Sequence, residues 1–365
     1  MGQAMYGPQA HEGAGPLPGA PAPPLYGDGG SRAYEDIAER NRSEVTRRLF
    51  LGSARAMVNR QAGFLLLYLL VGNLAALSGI ILYRIWLKMT DPGNPILKST
   101  DLLHSGQDQW MGFAYIAMSL SGMAFLALMR RRQMEDPGPY GIFRRTGRKM
   151  TPAVFFGAVG LILTAQAISF IYGFGMDQTL GWLGVSTGTG ADAAGSGSLA
   201  FFIYASFLAP IGEELVFRGA VLGALKPYGK VFAIITTATM FGFFHGVLTQ
   251  GFFAFMVGLV LGYIACEYSI FWSMALHMCN NFVIAGGLDY LTGFLSGNWL
   301  GAVQLAVPVV GILAGLIVLP LARVRIRDFI RANRADSAIY SSWRSIWFIV
   351  LLLIEGCTAL LSVLP

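Results

Sequence analysis

Residues 200–225 read AFFIYASFLAPIGEELVFRGAVLGAL. At about 1.5 Å per helical residue this run is long enough to cross the roughly 30 Å of hydrocarbon in a bilayer. Apart from Glu213, Glu214 and Arg218 it is almost wholly apolar. It reads as a membrane span that carries three ionisable groups.

The rest of the chain supports that reading. Of 365 residues, 55% are hydrophobic and 13% charged, whereas a soluble domain carries about 25% charge. Mean hydropathy is +0.56. Apolar stretches recur at 63–83, 110–129, 153–173, 200–225, 231–249, 251–267, 270–288, 300–322 and 345–364. Unpaired backbone groups are not tolerated in lipid, so helix is the expected state of each. The chain is thus expected to be an all-α polytopic membrane protein, a helical bundle of about eight or nine transmembrane helices.

Alternating the connections puts Lys and Arg 22 to 3 in favour of one side, with Arg218 alone inside a span. This asymmetry places the N-terminus in the cytoplasm of a multi-pass cell-membrane protein. It also accounts for the net charge of +6 and the pI near 9.3 without a nucleic-acid partner. Residues 1–33 are rich in Gly, Pro and Ala and are expected to form a disordered cytoplasmic tail. They hold no apolar h-region of a signal peptide, and Tyr6 occupies the Ser/Thr position of the myristoylation pattern. Residues 34–61 mix charge with periodic apolar positions, as a basic amphipathic juxtamembrane helix does. Residues 62–365 form the polytopic membrane domain. Its 174–198 segment reads as an external Gly/Ser loop. Cys266, Cys279 and Cys357 lie in or beside apolar stretches without metal-like spacing and read as small packing residues.

Ionisable groups inside spans are costly and usually mark a pathway or an active site. Here they are Glu213, Glu214, Arg218, His245, His277 and Glu355, with Glu267 at a short turn. Residues four apart share a helix face, so Glu214 and Arg218 can pair. Glu213, about 100° round the helix, is left free to serve as a general base. His277 and Asn281 share a face in the same way, with Asn280 as a weaker competitor for the amide role. Counted from the cytoplasmic span ends at 1.5 Å per residue, these groups fall at depths of about 12–22 Å, close enough for tilt to let them meet. Gly212, Gly219, Gly223, Gly242 and Gly246 would let the helices approach, and Pro210 can kink the helix before the glutamates. A carboxylate, two imidazoles and an amide suffice to deprotonate water and stabilise an oxyanion. The chain offers no phosphate-binding Gly-rich loop, GxSxG or HExxH pattern, so phosphoryl transfer and serine-hydrolase chemistry are without support.

At these residues the chain resembles the CPBP family, the intramembrane CAAX-protease and bacteriocin-processing group also called Abi. Glu213, Glu214 and Arg218 match its EExxxR motif, Phe241 and His245 its FxxxH, and His277 and Asn281 its HxxxN/D. The resemblance covers about 198–290. It implies an endopeptidase that cleaves peptide bonds of membrane-associated substrates, with Glu213 and His245 activating water and His277 and Asn281 stabilising the oxyanion. Two mechanisms stay open at this level, a metal-free one led by glutamate and one with zinc held by Glu213, His245 and His277. The partners implied are the lipid bilayer and a peptide or protein substrate near the membrane. The alternative is a non-catalytic Abi-type immunity or scaffold protein in which the polar cluster fixes helix packing. A transporter would string polar groups through both leaflets, and here they cluster at one depth.

The charge asymmetry is tested by a protease-accessible tag at the N-terminus. In sealed inside-out vesicles the tag should be cleaved, and in right-side-out vesicles it should be protected.

Overall fold

The computed structural model describes residues 28–94, 97, 109–136, 141–143, 148–182, 199–287 and 298–363. The chain divides into two compact units, Met1–Phe50 and Leu51–Pro365. In the first, the described residues belong to the beginning of helix α1 (Asp28–Thr90). Residues 39–50 are exposed, and Arg48 pairs with Glu44 one turn earlier at the surface, where such pairs contribute little. Helix thus begins within the stretch expected to be tail, while residues 1–27 lie outside the described ones.

The second unit continues α1 and adds α2 (Gln109–Glu135), α3 (Pro152–Gly181), α4 (Leu199–Tyr228), α5 (Lys230–Phe244) and α6 (Leu248–Glu267). Then come α7 (Ile270–Cys279, continued as a π-helix over Asn280–Gly287), α8 (Asn298–Asn333), a 3-10 segment Ser337–Arg344 and α9 (Ile346–Leu361). No strand occurs among the described residues. Many large apolar side chains point outward, including Leu74 and Leu82 on α1, Leu316 and Leu321 on α8, and Leu353 on α9. Water would penalise such surfaces, and lipid covers them. The chain is a polytopic helical membrane protein.

All nine apolar stretches are helical, but fewer than the expected eight or nine are fit to cross. Among the described residues six helices are long and apolar enough, or seven if the 3-10 segment and α9, bent by 70°, form one span. The shortfall has physical causes. Helix α5 has 15 residues, about 22 Å at 1.5 Å per residue, because it stops at His245 and not at the expected 249. In α7 the polar residues His277, Asn280 and Asn281 interrupt a run of limited length. Helix α3 extends to Gly181, through part of the expected loop, after starting at a Thr151 cap that accepts from the Val154 N–H, with Pro152 in the first turn. Residues 183–198 of that loop lie outside the described ones.

At one end of the unit Glu267, the last residue of α6, accepts from Arg148 at 2.7 Å and from Lys230 at 2.8 Å. The α2–α3 and α4–α5 connections therefore meet on one face, the arrangement that the basic-residue count requires of alternating loops.

Small residues set the helix spacing. Helices α5 and α6 approach through Gly242 and Gly251, where an added Cβ would come within 2.8 Å and 2.7 Å of the other's backbone. Helices α3 and α8 meet where Thr164 Oγ1 lies 2.7 Å from the Gly160 carbonyl and 3.2 Å from that of Gly311. Such packing is the main source of helix association in lipid. Gly223 does not take part, since a Cβ there meets nothing within 4 Å. A Cβ on Gly311 would lie 2.2 Å from the Leu163 carbonyl oxygen, so Gly311→Ala should destabilise by about 1–3 kcal/mol. Thermal unfolding in detergent reads this. Gly157→Ala, where nothing lies within 4 Å, should leave the midpoint unchanged or raise it slightly.

Candidate active site

Helix α4 adopts π-helical hydrogen bonding over Tyr204–Leu208 and again over Glu214–Val221. Pro210 follows the first of these and has no N–H to give. Short π segments of this kind favour functional positions. The second opens on the paired glutamates.

Glu214 is fully buried, and three groups converge on it. Arg218 Nη1 lies 2.9 Å from Oε1, with both side chains at most 1% exposed. His277 Nδ1 is 3.0 Å from the same oxygen. Ser273 Oγ, one turn before His277 on α7, donates to Oε2 and also lies 3.1 Å from the Leu261 carbonyl of α6. An ionised carboxylate only accepts, so His277 Nδ1 carries its hydrogen toward Glu214. The carboxylate thereby ties α4 and α7 together, with the Ser273 hydroxyl standing against α6. The guanidinium of Arg218 lies over the Phe241 ring, with Cζ 4.3 Å from the centroid, and this cation–π contact offsets donors that find no acceptor.

Glu213 is turned away from that network. Its Oε2 lies 3.7 Å from His277 Nε2, and its side chain keeps 17% of its exposure. The two nitrogens of His277 thus face the two adjacent carboxylates.

His245 ends α5. Its Nδ1 is 2.9 Å from the Phe241 carbonyl, which can only accept, so the hydrogen sits on Nδ1 and the Nε2 lone pair is free. Phe241 stands edge-on to both imidazoles, at 4.8 Å from His245 and 5.9 Å from His277. The aromatic residue four before His245 is therefore the floor of the site. Gly246, at φ +59°, turns the chain immediately after His245 in a conformation that favours glycine.

Asn281 is oriented by backbone. Its Nδ2 donates to the Ala205 carbonyl at 3.0 Å, and its Oδ1 accepts from Asn280 at 2.9 Å. One Nδ2 hydrogen remains to be given. The zinc set left open by the sequence does not assemble: among the described residues no group of three His, Cys, Asp or Glu side chains is disposed to hold a metal ion. Nδ1 of each histidine is engaged, by the Phe241 carbonyl and by Glu214, and His277 Nε2 lies 3.7 Å from Glu213.

Several neighbours of the site carry no sequence signal. Ser273 resembles any small residue in a span. Tyr68 of α1 reaches the residue before Glu213, its hydroxyl 3.7 Å from where a Gly212 Cβ would stand. Glu355 of α9, read from sequence as a helix-packing or outer-interface residue, is buried with Oε2 3.5 Å from the Cβ position of Gly246.

The adjacent glutamates should respond differently to substitution. Glu214→Ala leaves Arg218 buried without its counter-charge and should cost about 3–5 kcal/mol, read as loss of folded protein in detergent. Glu213→Gln removes no network partner and should change unfolding stability by less than about 1 kcal/mol.

Residues 195–283 match the family model described as Type II CAAX prenyl endopeptidase Rce1-like. No curated protein and no solved structure matches the chain. The matched segment contains both glutamates, Arg218, both site histidines and Asn281, and over it the chain is similar to the CPBP/CAAX intramembrane proteases.

Proposed function

We propose that this protein is an intramembrane endopeptidase of the cell membrane that hydrolyses peptide bonds of membrane-associated substrates. The observation that carries the reading is the division of labour between neighbouring carboxylates. Glu214 is consumed by Arg218, Ser273 and His277, while Glu213 stays partly accessible and faces an imidazole. A purely structural pair would bury both.

In the proposed reaction, Glu213 takes one proton from a water molecule that the free Nε2 lone pair of His245 helps to hold. The water oxygen attacks the scissile carbonyl carbon, and the resulting oxyanion is stabilised by the remaining Nδ2–H of Asn281 and by His277 when its Nε2 as well as its Nδ1 carries a proton. The oxyanion then collapses, the C–N bond breaks, and the proton passes from Glu213 to the leaving nitrogen. A carboxylate and an amine are released. The scheme uses the side chains alone, since among the described residues no three His, Cys, Asp or Glu are disposed to hold a metal ion. The family description makes prenylated C-terminal peptides one substrate class to try, beside unmodified membrane-anchored ones.

The test is cleavage of quenched fluorescent peptides, prenylated and plain, by detergent-purified protein. Glu213→Gln and His245→Ala should each lower kcat/KM by about 100-fold or more at unchanged fold, and chelator should leave the wild-type rate unaltered. If well-folded wild type cleaves nothing, the non-catalytic Abi-type role replaces this reading.

A further inference from the structure

Tyr68 lies on α1, far outside the residues matched to the family, yet its ring is fixed at the site from several sides. Gly122 of α2 faces it so closely that an added Cβ would fall 2.7 Å from both Cζ and the hydroxyl oxygen. The ring centroid is 6.2 Å from that of Phe244, the residue immediately before His245. The hydroxyl is 3.7 Å from the Cβ position of Gly212, the residue immediately before Glu213. Tyr68 thus touches the chain directly ahead of each of the two groups assigned to water activation.

Its residue surface is 8% exposed, and the hydroxyl has no hydrogen-bond partner among the described residues. Nor is that oxygen sealed: the Tyr263 hydroxyl is among the fully enclosed polar atoms without a partner, and the Tyr68 hydroxyl is not. The Glu213 charge acts on it. A phenol hydroxyl is a neutral donor that does not compete for the proton of water. Ser119, which also packs over Gly212, has its hydroxyl committed to the Leu208 carbonyl at 3.3 Å, so it is not an equivalent donor.

We infer that Tyr68 is a further catalytic residue, whose Oη–H donates a hydrogen bond to the oxyanion that forms when water adds to the scissile carbonyl. No covalent bond to Tyr68 is made, and its proton stays on the phenol throughout. The role supplies a donor from outside the motif set where Asn281 has a single Nδ2 hydrogen left. It rests on the endopeptidase reading proposed above.

Tyr68→Phe removes the hydroxyl and keeps the ring that packs against Gly122 and Phe244. In the peptide-cleavage assay this variant should lower kcat by about 10²–10³-fold, as loss of an oxyanion donor does. KM should stay within about threefold, and the acid limb of the pH–rate profile should stay in place. Thermal unfolding in detergent should match wild type. Wild-type kcat in folded Tyr68→Phe overturns the inference and leaves the endopeptidase reading intact. A shifted acid limb also overturns it, because the hydroxyl would then be orienting Glu213 and not binding the oxyanion. If wild type itself cleaves nothing while folded, both readings fall together.

Discussion

The Glu214–Arg218 ion pair, sealed from water and lipid, is the constraint on which the rest of this structure depends. Taking two charges out of water costs several kcal/mol per ion even after relaxation. Such a pair persists only if every remaining lone pair and charge is answered. Ser273 and the His277 Nδ1–H answer the carboxylate, and the Phe241 face answers the guanidinium. Ser273 and His277 come from α7 and Phe241 from α5, so satisfying the pair orders α4, α5 and α7 relative to one another. The site is a by-product of that demand. Once Glu214 is satisfied, its neighbour is the carboxylate left partly exposed.

Glycine contacts complement this polar clamp. Lipid gives no hydrophobic incentive for helices to associate, so close approach must come from shape. Gly242 against Gly251, and Gly311 against Leu163, let backbones come within reach of side-chain bonds such as Thr164 to the Gly311 carbonyl, and the Leu261 carbonyl stands 3.1 Å from the Ser273 hydroxyl. Packing and polar satisfaction are therefore coupled, because α6 must lie close to α5 for its carbonyl to meet α7.

Much of this was legible in the sequence wherever the relevant geometry lies within one helix. The i, i+4 spacing of Glu214 and Arg218 foretells their pairing, and apolar length foretells every helix. The tertiary contacts were less accessible. That His277 would present one nitrogen to each glutamate depends on the register between α4 and α7, and the π-helical turns in both were not written in the periodicity. Ser273, Tyr68 and Glu355 take their importance from what stands opposite them, and that information lies in other parts of the chain. The zinc alternative was chemically reasonable from residue types alone. Among the described residues no three such side chains are disposed to hold an ion, a matter of spacing between helices that residue types do not give. The span count fell for a related reason, since Gly246 ends α5 early and His277, Asn280 and Asn281 dilute the apolar run of α7.

The early end of α5 has one more consequence. A helix that starts beside Lys230 on the basic face and stops about 22 Å later cannot reach the opposite headgroups of an ordinary bilayer about 30 Å thick. The non-helical turn at Gly246 and Val247 that follows lies at that depth, and irregular backbone inside a membrane needs protein or water around it. Either water descends to that depth or the far leaflet dimples inward over the helix end. Both bring hydration to the level of the imidazole. The reagent that hydrolysis consumes would thus reach the middle of the membrane because of a missing turn of helix, without a dedicated pore.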